Sequence, residues 1–410
     1  MTMKKIESKK LKWTFIIIAF LIIITTIRVI WMNYLTTFEY PHNPTAEQGI
    51  LDLRGWEFTD RQSLLLNGEW EFYPSKLISP IDLQENPTHY EAVLLPIQQQ
   101  WKDAFTEEEE TSFLYGTYRL KILVDQANEQ TFQLRFHEIR NASAVYANGE
   151  LIAETGQVAT ELENHQARNI PYSVSVTPED NVIELVIHAS SHDIKGGITG
   201  SIRFGTEEAV ETRTNLIIGL QLLLAGVLLF HSIYALILYF LGAKSKVLYF
   251  FSLLIISAIV SVLVTDDKIL YSWLFVEHEW SIKILYLSYI GVATFLPQVM
   301  NSLFPAYINK RKLYLFSISC TLYAIFVFLS PFQFIIATSP VLLSSVLILS
   351  IILSIYILGK AILEKEDVIF LLLACIGVLA NIVWSVLQRR LSIEITHYPF
   401  DLIFAILAFA

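Results

Sequence analysis

The side chains in this sequence that could do chemistry are binding groups rather than catalytic ones. Trp101 follows Pro96 and a run of glutamines, and on a loop its ring would stack on the apolar face of a sugar. His192, Asp193 and Lys195 stand just ahead of Gly196 and Gly197. A loop there would present an imidazole, a carboxylate and an ammonium to a small polar ligand, the competing reading being a solvated turn. These four are the candidate ligand-binding residues. Trp56 and Trp70 are more simply core, and His137, Glu138 and Arg140 more simply pair on the surface. No nucleophile elbow, metal triad, P-loop or dinucleotide fingerprint occurs, so no catalytic residue, metal or cofactor is expected.

The elements that must position these residues follow from an uneven composition. Hydrophobic residues make up 54% of the 410 and charged residues 17%, against about a quarter charged in soluble domains. The apolar excess lies in 13–32 and 214–410. Residues 33–213 hold 29 acidic and 12 basic side chains, a net of −17, and the remainder holds 10 and 17, a net of +7. An acidic domain is a poor partner for nucleic acid, whose phosphates demand Lys and Arg patches. The two cysteines, Cys320 and Cys375, lie in hydrophobic runs. The acidic domain therefore has no disulfide framework and depends on a packed core.

A membrane crossing takes about 20 apolar residues. Such runs occupy 13–32, 216–241, 247–264, 282–304, 313–329, 334–358 and 368–387, and another opens near 402. The first follows Lys4, Lys5, Lys9, Lys10 and Lys12, with no small-residue cleavage signal behind it. That favours an uncleaved anchor over a removed signal peptide. With 1–12 in the cytoplasm, the segments on that side carry twelve basic residues: those five with Lys244, Lys246, Lys310, Arg311, Lys312, Lys360 and Lys365. The opposite short loops carry Lys268, Arg389 and Arg390, so 33–213 and the acidic 266–279 loop are expected outside. Within the spans, Gln221, His231, Gln298, Asn301 and Asn381 should bond between helices, Pro297 and Pro340 should kink theirs, and no inward-facing charge pair is expected. As a helix, 402–410 would rise only about 14 Å, so the sequence is expected to stop inside a span.

Between the membrane segments the pattern is short alternating strands, at 118–124, 131–136, 144–146 and 182–188. Asn148-Gly149 between two such runs marks a hairpin whose central residues both take positive φ. The four glutamates at 107–110 are most simply a solvated loop. No helix-period segment of useful length interrupts the strands, and an all-β sandwich is the expected fold.

Several pieces of this stretch resemble the sensor domain of bacterial seven-transmembrane receptors with diverse intracellular signalling modules. They include Gly49 through Trp56, Leu66 through Tyr73, Leu95-Pro96 with Trp101, and Gly116-Thr117-Tyr118-Arg119. Tyr146 through Gly149, Lys195 through Ile198 and Phe204-Gly205 continue it, and the likeness covers about residue 49 to the end. Where such domains often carry Asn and an aromatic ahead of the Gly-Gly, this chain reads Ser190, Ser191, His192 and Asp193. The sandwich is also similar to the jelly-roll, galactose-binding-like domain that opens several large glycosidases. That likeness implies a fold and a ligand class but no catalysis, because no catalytic barrel follows.

The expected organisation is a basic segment at 1–12, an anchor helix at 13–32, an extracellular jelly-roll sandwich at 33–213, and a seven-transmembrane bundle at 214–410 with its last helix truncated. The resemblance implies a signalling receptor in the cell membrane. Its partners would be a small molecule, plausibly a carbohydrate, membrane lipid, a cytoplasmic module or partner protein such as a histidine kinase, and, as one option, a second copy in a homodimer. The rivals are a transporter or membrane-embedded enzyme with an accessory outer domain, and a passive binding protein. A connection without Pro or Gly between 205 and 214 favours transmission over tethering.

Overall fold

Alternation along 114–123 sends Tyr118, Leu120 and Ile122 to one side of the strand and Thr117, Arg119 and Lys121 to the other. In the computed structural model the first set joins a large apolar core with Ile183, Leu185, Ile187, Phe204 and Trp70. The structure describes residues 2–85, 89–97, 99, 101, 104–105, 113–125, 130–192, 196–364, 369–391, 398–401 and 403. The glutamates at 107–110 and Lys365 lie outside the described residues, as do the side chains of Lys4, Lys5, Lys9, Lys10, Arg389 and Arg390.

The chain forms two compact units. One is Tyr34–Leu216 with Asp266–His278, and the other is Met1–Asn33 with Ile217–Thr265 and Glu279–Ala410. The first is a β-sandwich. Its strands are β1 (Ile50–Asp52), β2 (Leu64–Leu65), β3 (Glu69–Pro74), β4 (Val93–Pro96), β5 (Leu114–Leu123), β6 (Phe132–Phe136), β7 (Ile139–Arg140), β8 (Ala142–Ala147), β9 (Glu150–Thr155), β10 (Tyr172–Val176), β11 (Val182–Ser191), β12 (Gly197–Ile198) and β13 (Ile202–Thr206). One sheet runs β4-β3-β5-β11-β8-β9 with β1 parallel to β5, the other runs β10-β6-β13-β2, and β12 pairs with β7. Asn148 and Gly149 take φ of 50° and 90° in the β8–β9 turn, as that dipeptide predicts.

The outer face of the larger sheet is also covered, which explains why β11 is buried on both sides. Segment 76–85 lies across it, with Ile78 and Leu83 packed on Tyr73 and Val186. This segment holds a short helix that departs from the all-strand expectation, α2 (Pro80–Glu85), capped by Ser79, whose hydroxyl accepts from the Asp82 N–H at 3.2 Å. Beneath it Arg119 is held by Glu184 at 2.5 Å and Glu71 at 3.3 Å, a closed ion-pair network.

The second unit is helical: α1 (Thr2–Leu35), α3 (Glu207–Leu238), α4 (Lys246–Val264), α6 (His278–Leu303), α7 (Lys310–Leu329), α8 (Phe332–Glu364) and α9 (Ile369–Leu391). Six described helices are long and apolar enough to cross a membrane: α1, α3, α4, α6, α7 and α8. Pro297 and Pro340 fall inside α6 and α8. Of the polar residues expected to bond between helices, Gln221, Gln298 and Asn381 do so, while Asn301 Oδ1 has no partner among the described residues. Gln221 donates to the carbonyls of Val262 and Thr265, Gln298 to Ser317 Oγ at 2.7 Å, and Ser232 Oγ meets Ser252 Oγ at 2.9 Å. His231 instead turns back onto its own helix, at 2.7 Å from the Val227 carbonyl.

One expectation for this unit is corrected. Arg28 of α1, buried, donates to Asn381 Oδ1, and Asn381 in turn donates to Asp401 Oδ1 at 2.6 Å. A cation and a carboxylate therefore do meet inside the unit, through a shared amide.

Candidate functional site

His165 and His192 meet at one end of the sandwich. Gly156 makes this approach with φ of +73°, and a Cβ there would come within 2.3 Å of the Gln166 carbonyl. Only glycine tolerates both conditions. The 157–166 pairing thereby folds the chain back, and Gln157 N donates to Gln166 O at 2.8 Å. The ring of His165 lands 4.5 Å from that of His192, nearly perpendicular, and 5.2 Å from Phe113. His165 Nδ1 lies 2.9 Å from Ser190 Oγ, while its Nε2 is buried with no hydrogen-bond partner among the described residues. Burial, with His192 and His278 adding repulsion, pushes His165 down to about 4. Burial also lowers His192.

The loop 266–278, which contains α5 (Ile269–Trp273), belongs to this unit rather than to the helical one. Arg135 of β6 binds Asp267 at 2.7 Å, and both side chains are largely buried. Lys268 Nζ stands 3.6 Å from Glu138 Oε1 and donates to the Asn169 carbonyl at 3.1 Å. Glu138 also accepts from Asn169 Nδ2 at 2.8 Å and Thr199 Oγ1 at 2.9 Å. Burial alone would push the Glu138 carboxyl up, but the Lys268 charge and these hydrogen bonds hold it below the usual carboxylate range. Arg168 lies over the Phe275 ring at 5.3 Å. This end of the sandwich is therefore a polar, histidine-bearing surface closed on one flank by a loop whose ends are α4 and α6.

The sequence-derived candidates divide. Trp101 is a core residue rather than a loop-borne platform: it is fully buried, donates to Tyr118 OH, and packs on Phe72 and Phe105. Gly197 explains the error. Its φ is +85°, and a Cβ there would strike Tyr118 OH at 2.3 Å and Trp101 Nε1 at 2.4 Å, so the Gly196-Gly197 backbone lies directly on the indole. Trp70 is likewise core, and Trp56 packs half-buried beside Tyr40. His192 stands in the histidine cluster; Asp193 and Lys195 lie outside the described residues. Glu138, read as a surface partner, is instead the centre of the loop contact. Phe113, His165 and the Arg135–Asp267 pair carried no sequence signal, because each depends on chain segments far apart. Among the described residues no group of three metal-ligating side chains converges.

The connection to α3 is equally tight. Thr206 ends β13 and caps α3, its hydroxyl accepting from Ala209 N at 3.3 Å, with Glu207 and Glu208 in the first turn. Glu39 joins Arg203 of β13 at 2.8 Å to Arg213 of α3 at 3.3 Å.

Residues 218–410 match the family described as 7TM diverse intracellular signalling. Over those residues the chain is similar to the membrane domain of that receptor family, as its resemblance implied. Comparison with curated proteins yields no match. Solved structures similar to part of the chain include a GH2 beta-galacturonidase from Eisenbergiella tayi, 13% identical with a TM-score of 0.25, covering 38% of this chain and 26% of that one. A beta-glucuronidase from an uncultured Clostridium is 18% identical with a TM-score of 0.27, covering 36% and 29%. Beta-glucuronidase 2 of Bacteroides uniformis is 19% identical with a TM-score of 0.27, covering 35% and 18%. The match spans less than a third of each of these enzymes.

Proposed function

We propose that this chain is the sensory portion of a membrane signalling receptor. Its sandwich lies outside the cell and binds a small polar molecule at the histidine-bearing end, carbohydrates being the first class to test. The bundle, counted as seven spans after the sandwich, carries the change to a cytoplasmic output module or partner. The observation that supports this most is the loop between α4 and α6, held on the sandwich by Arg135–Asp267 and Glu138–Lys268. A ligand that displaces His165 or His192 acts beside these pairs, and the loop is covalently continuous with two helices of the family domain. The membrane domain's family and the capped start of α3 support the same reading. The jelly-roll topology, the ligand class and the kinase-type output rest on the sequence resemblance.

The test is a thermal-shift screen of glycans and metabolites on the full chain in detergent, since a ligand of the native state raises its melting temperature. A hit should lose at least tenfold in affinity with His165→Ala or His192→Ala. A hit indifferent to both substitutions places the site elsewhere. Orientation is tested separately with single cysteines at Ser75 and Asn309 in a background lacking Cys320 and Cys375. An impermeant thiol reagent on intact cells lacking an outer-membrane barrier should label Ser75→Cys alone, and labelling of Asn309→Cys alone overturns it. The transporter reading draws on the Arg28–Asn381–Asp401 chain. Substrate uptake into vesicles that disappears in Asp401→Asn would favour it.

A further inference from the structure

A cavity of about 650 Å³ lies among α4, α6 and α7. Its lining includes Lys246, Lys310 and Arg311 together with Ser245, Gln298 and Asn301, and no carboxylate among the described residues. Two helices begin here, α4 at Lys246 and α7 at Lys310, and neither has an acidic residue in its first turn. Helix N-termini carry partial positive charge from unsatisfied N–H groups and ordinarily attract Asp or Glu. In this cavity cations are added to that charge. Asn309 caps α7 by accepting from Arg311 N at 2.9 Å, but Ser245 makes no side-chain cap on α4. The positive-inside tendency accounts for basic residues flanking spans. It does not account for three of them, each exposed, lining one cavity beside two helix N-termini with no carboxylate in that lining among the described residues.

In the same lining Asn301 is partly buried, and its Oδ1 is shielded from water with no hydrogen-bond partner among the described residues. A shielded carbonyl oxygen without a partner is costly, and a donor on a ligand in the cavity would relieve that cost. A headgroup hydroxyl can donate to the oxygen, and rotation of the amide offers its NH2 to an anion. Gln298 is positioned beside it by its bond to Ser317.

We propose that this cavity binds a phosphate-bearing anion, held by Lys246, Lys310, Arg311 and the N-terminus of α4, with Asn301 as its polar floor. The phosphate can come from an anionic phospholipid headgroup or from a free small molecule. Either would bias the packing of α4 against α6 and α7, giving the bundle a second input independent of the sandwich.

The test is native mass spectrometry of the full chain from detergent, titrated with phosphatidylglycerol, with phosphatidylcholine of the same acyl chains, and with inorganic phosphate. Phosphatidylglycerol should be retained at least tenfold more tightly than phosphatidylcholine. Lys246→Gln/Lys310→Gln/Arg311→Gln should abolish that preference, and Asn301→Leu should weaken it without changing charge. A control triple substitution at Lys12, Lys244 and Lys360 to Gln should leave it intact. Displacement of the lipid by inorganic phosphate assigns the site to free anions, and retention of the lipid assigns it to headgroups. Equal binding of both lipids with no retention of phosphate, or an unchanged preference in the first triple variant with a wild-type melting temperature, overturns the proposal.

Discussion

The two units bury polar and apolar groups by opposite rules. The sandwich hides whole aromatic rings: Trp70, Phe72, Trp101, Phe132 and Phe204 have no measurable exposure, and Arg119 is enclosed with two carboxylates. The helical unit buries apolar clusters too, but adds close contacts through small and hydroxyl-bearing residues. Gly291 lies so close to Ser257 that a Cβ would meet its Oγ at 2.4 Å, and Ser350 Oγ bonds the Ala293 carbonyl at 2.7 Å. The difference follows from solvent. In water, each square ångström of apolar surface removed is favourable, so large side chains go inside. Between lipid-facing helices that drive is absent, and close backbone approach with interhelical hydrogen bonds takes over. Loop 266–278 joins the two regimes, since its ends are membrane helices while its Asp267 and Lys268 pair with Arg135 and Glu138 of the sandwich.

The largest effects should fall in the sandwich. Trp101→Ala leaves a cavity under Gly196-Gly197, and Glu184→Ala leaves Arg119 with only a partial partner. Each should cost roughly 3–5 kcal/mol in chemical denaturation followed through the sandwich. A loss below about 1 kcal/mol for Trp101→Ala would return that residue to the surface.

The pH response should be intermediate in size. His165 takes up its proton near 6.5 when unfolded but only near about 4 when folded. Between those values the unfolded chain binds more protons, so stability is full above 6.5 and falls as pH drops toward 4. The loss should be on the order of 2–3 kcal/mol, read as a falling melting temperature of the sandwich. His165→Gln should flatten that slope.

In the membrane unit, Ser232→Ala removes one hydrogen bond to Ser252 and should cost only about 0.6 kcal/mol in a detergent unfolding assay. A loss as large as that for Trp101 would erase the contrast between the units.

Much of this architecture was legible because it depends on local patterns. Apolar run length marked the spans, and Asn148-Gly149 marked its hairpin through a backbone requirement of those two residues. Trp101 was misread because its surroundings are supplied by Gly196 and Gly197, nearly a hundred positions later, and loop-like neighbours said nothing of that. Glu138 and Lys268 are 130 positions apart, so each read alone was an ordinary surface charge. His192 was chosen for its place beside the glycines, whereas His165 reaches it only through the Gly156 fold-back. Asp267 and Lys268 were visible as part of a charged loop, and only docking on Arg135 of β6 and on Glu138 gave those two charges partners.

The grip of the sandwich on the α4–α6 loop can be measured directly. Hydrogen exchange read by mass spectrometry on the full chain in lipid nanodiscs tests it, with wild type compared to Arg135→Gln/Glu138→Gln. In the folded chain Tyr271 N donates to Lys268 O and Leu274 N to Leu270 O, both at 2.9 Å. With the ion pairs removed, the loop amides should exchange at least tenfold faster while β11 stays protected, because local opening is limited to the segment that lost its contacts. Unchanged exchange in the loop, with β11 equally protected in both proteins, would contradict the account.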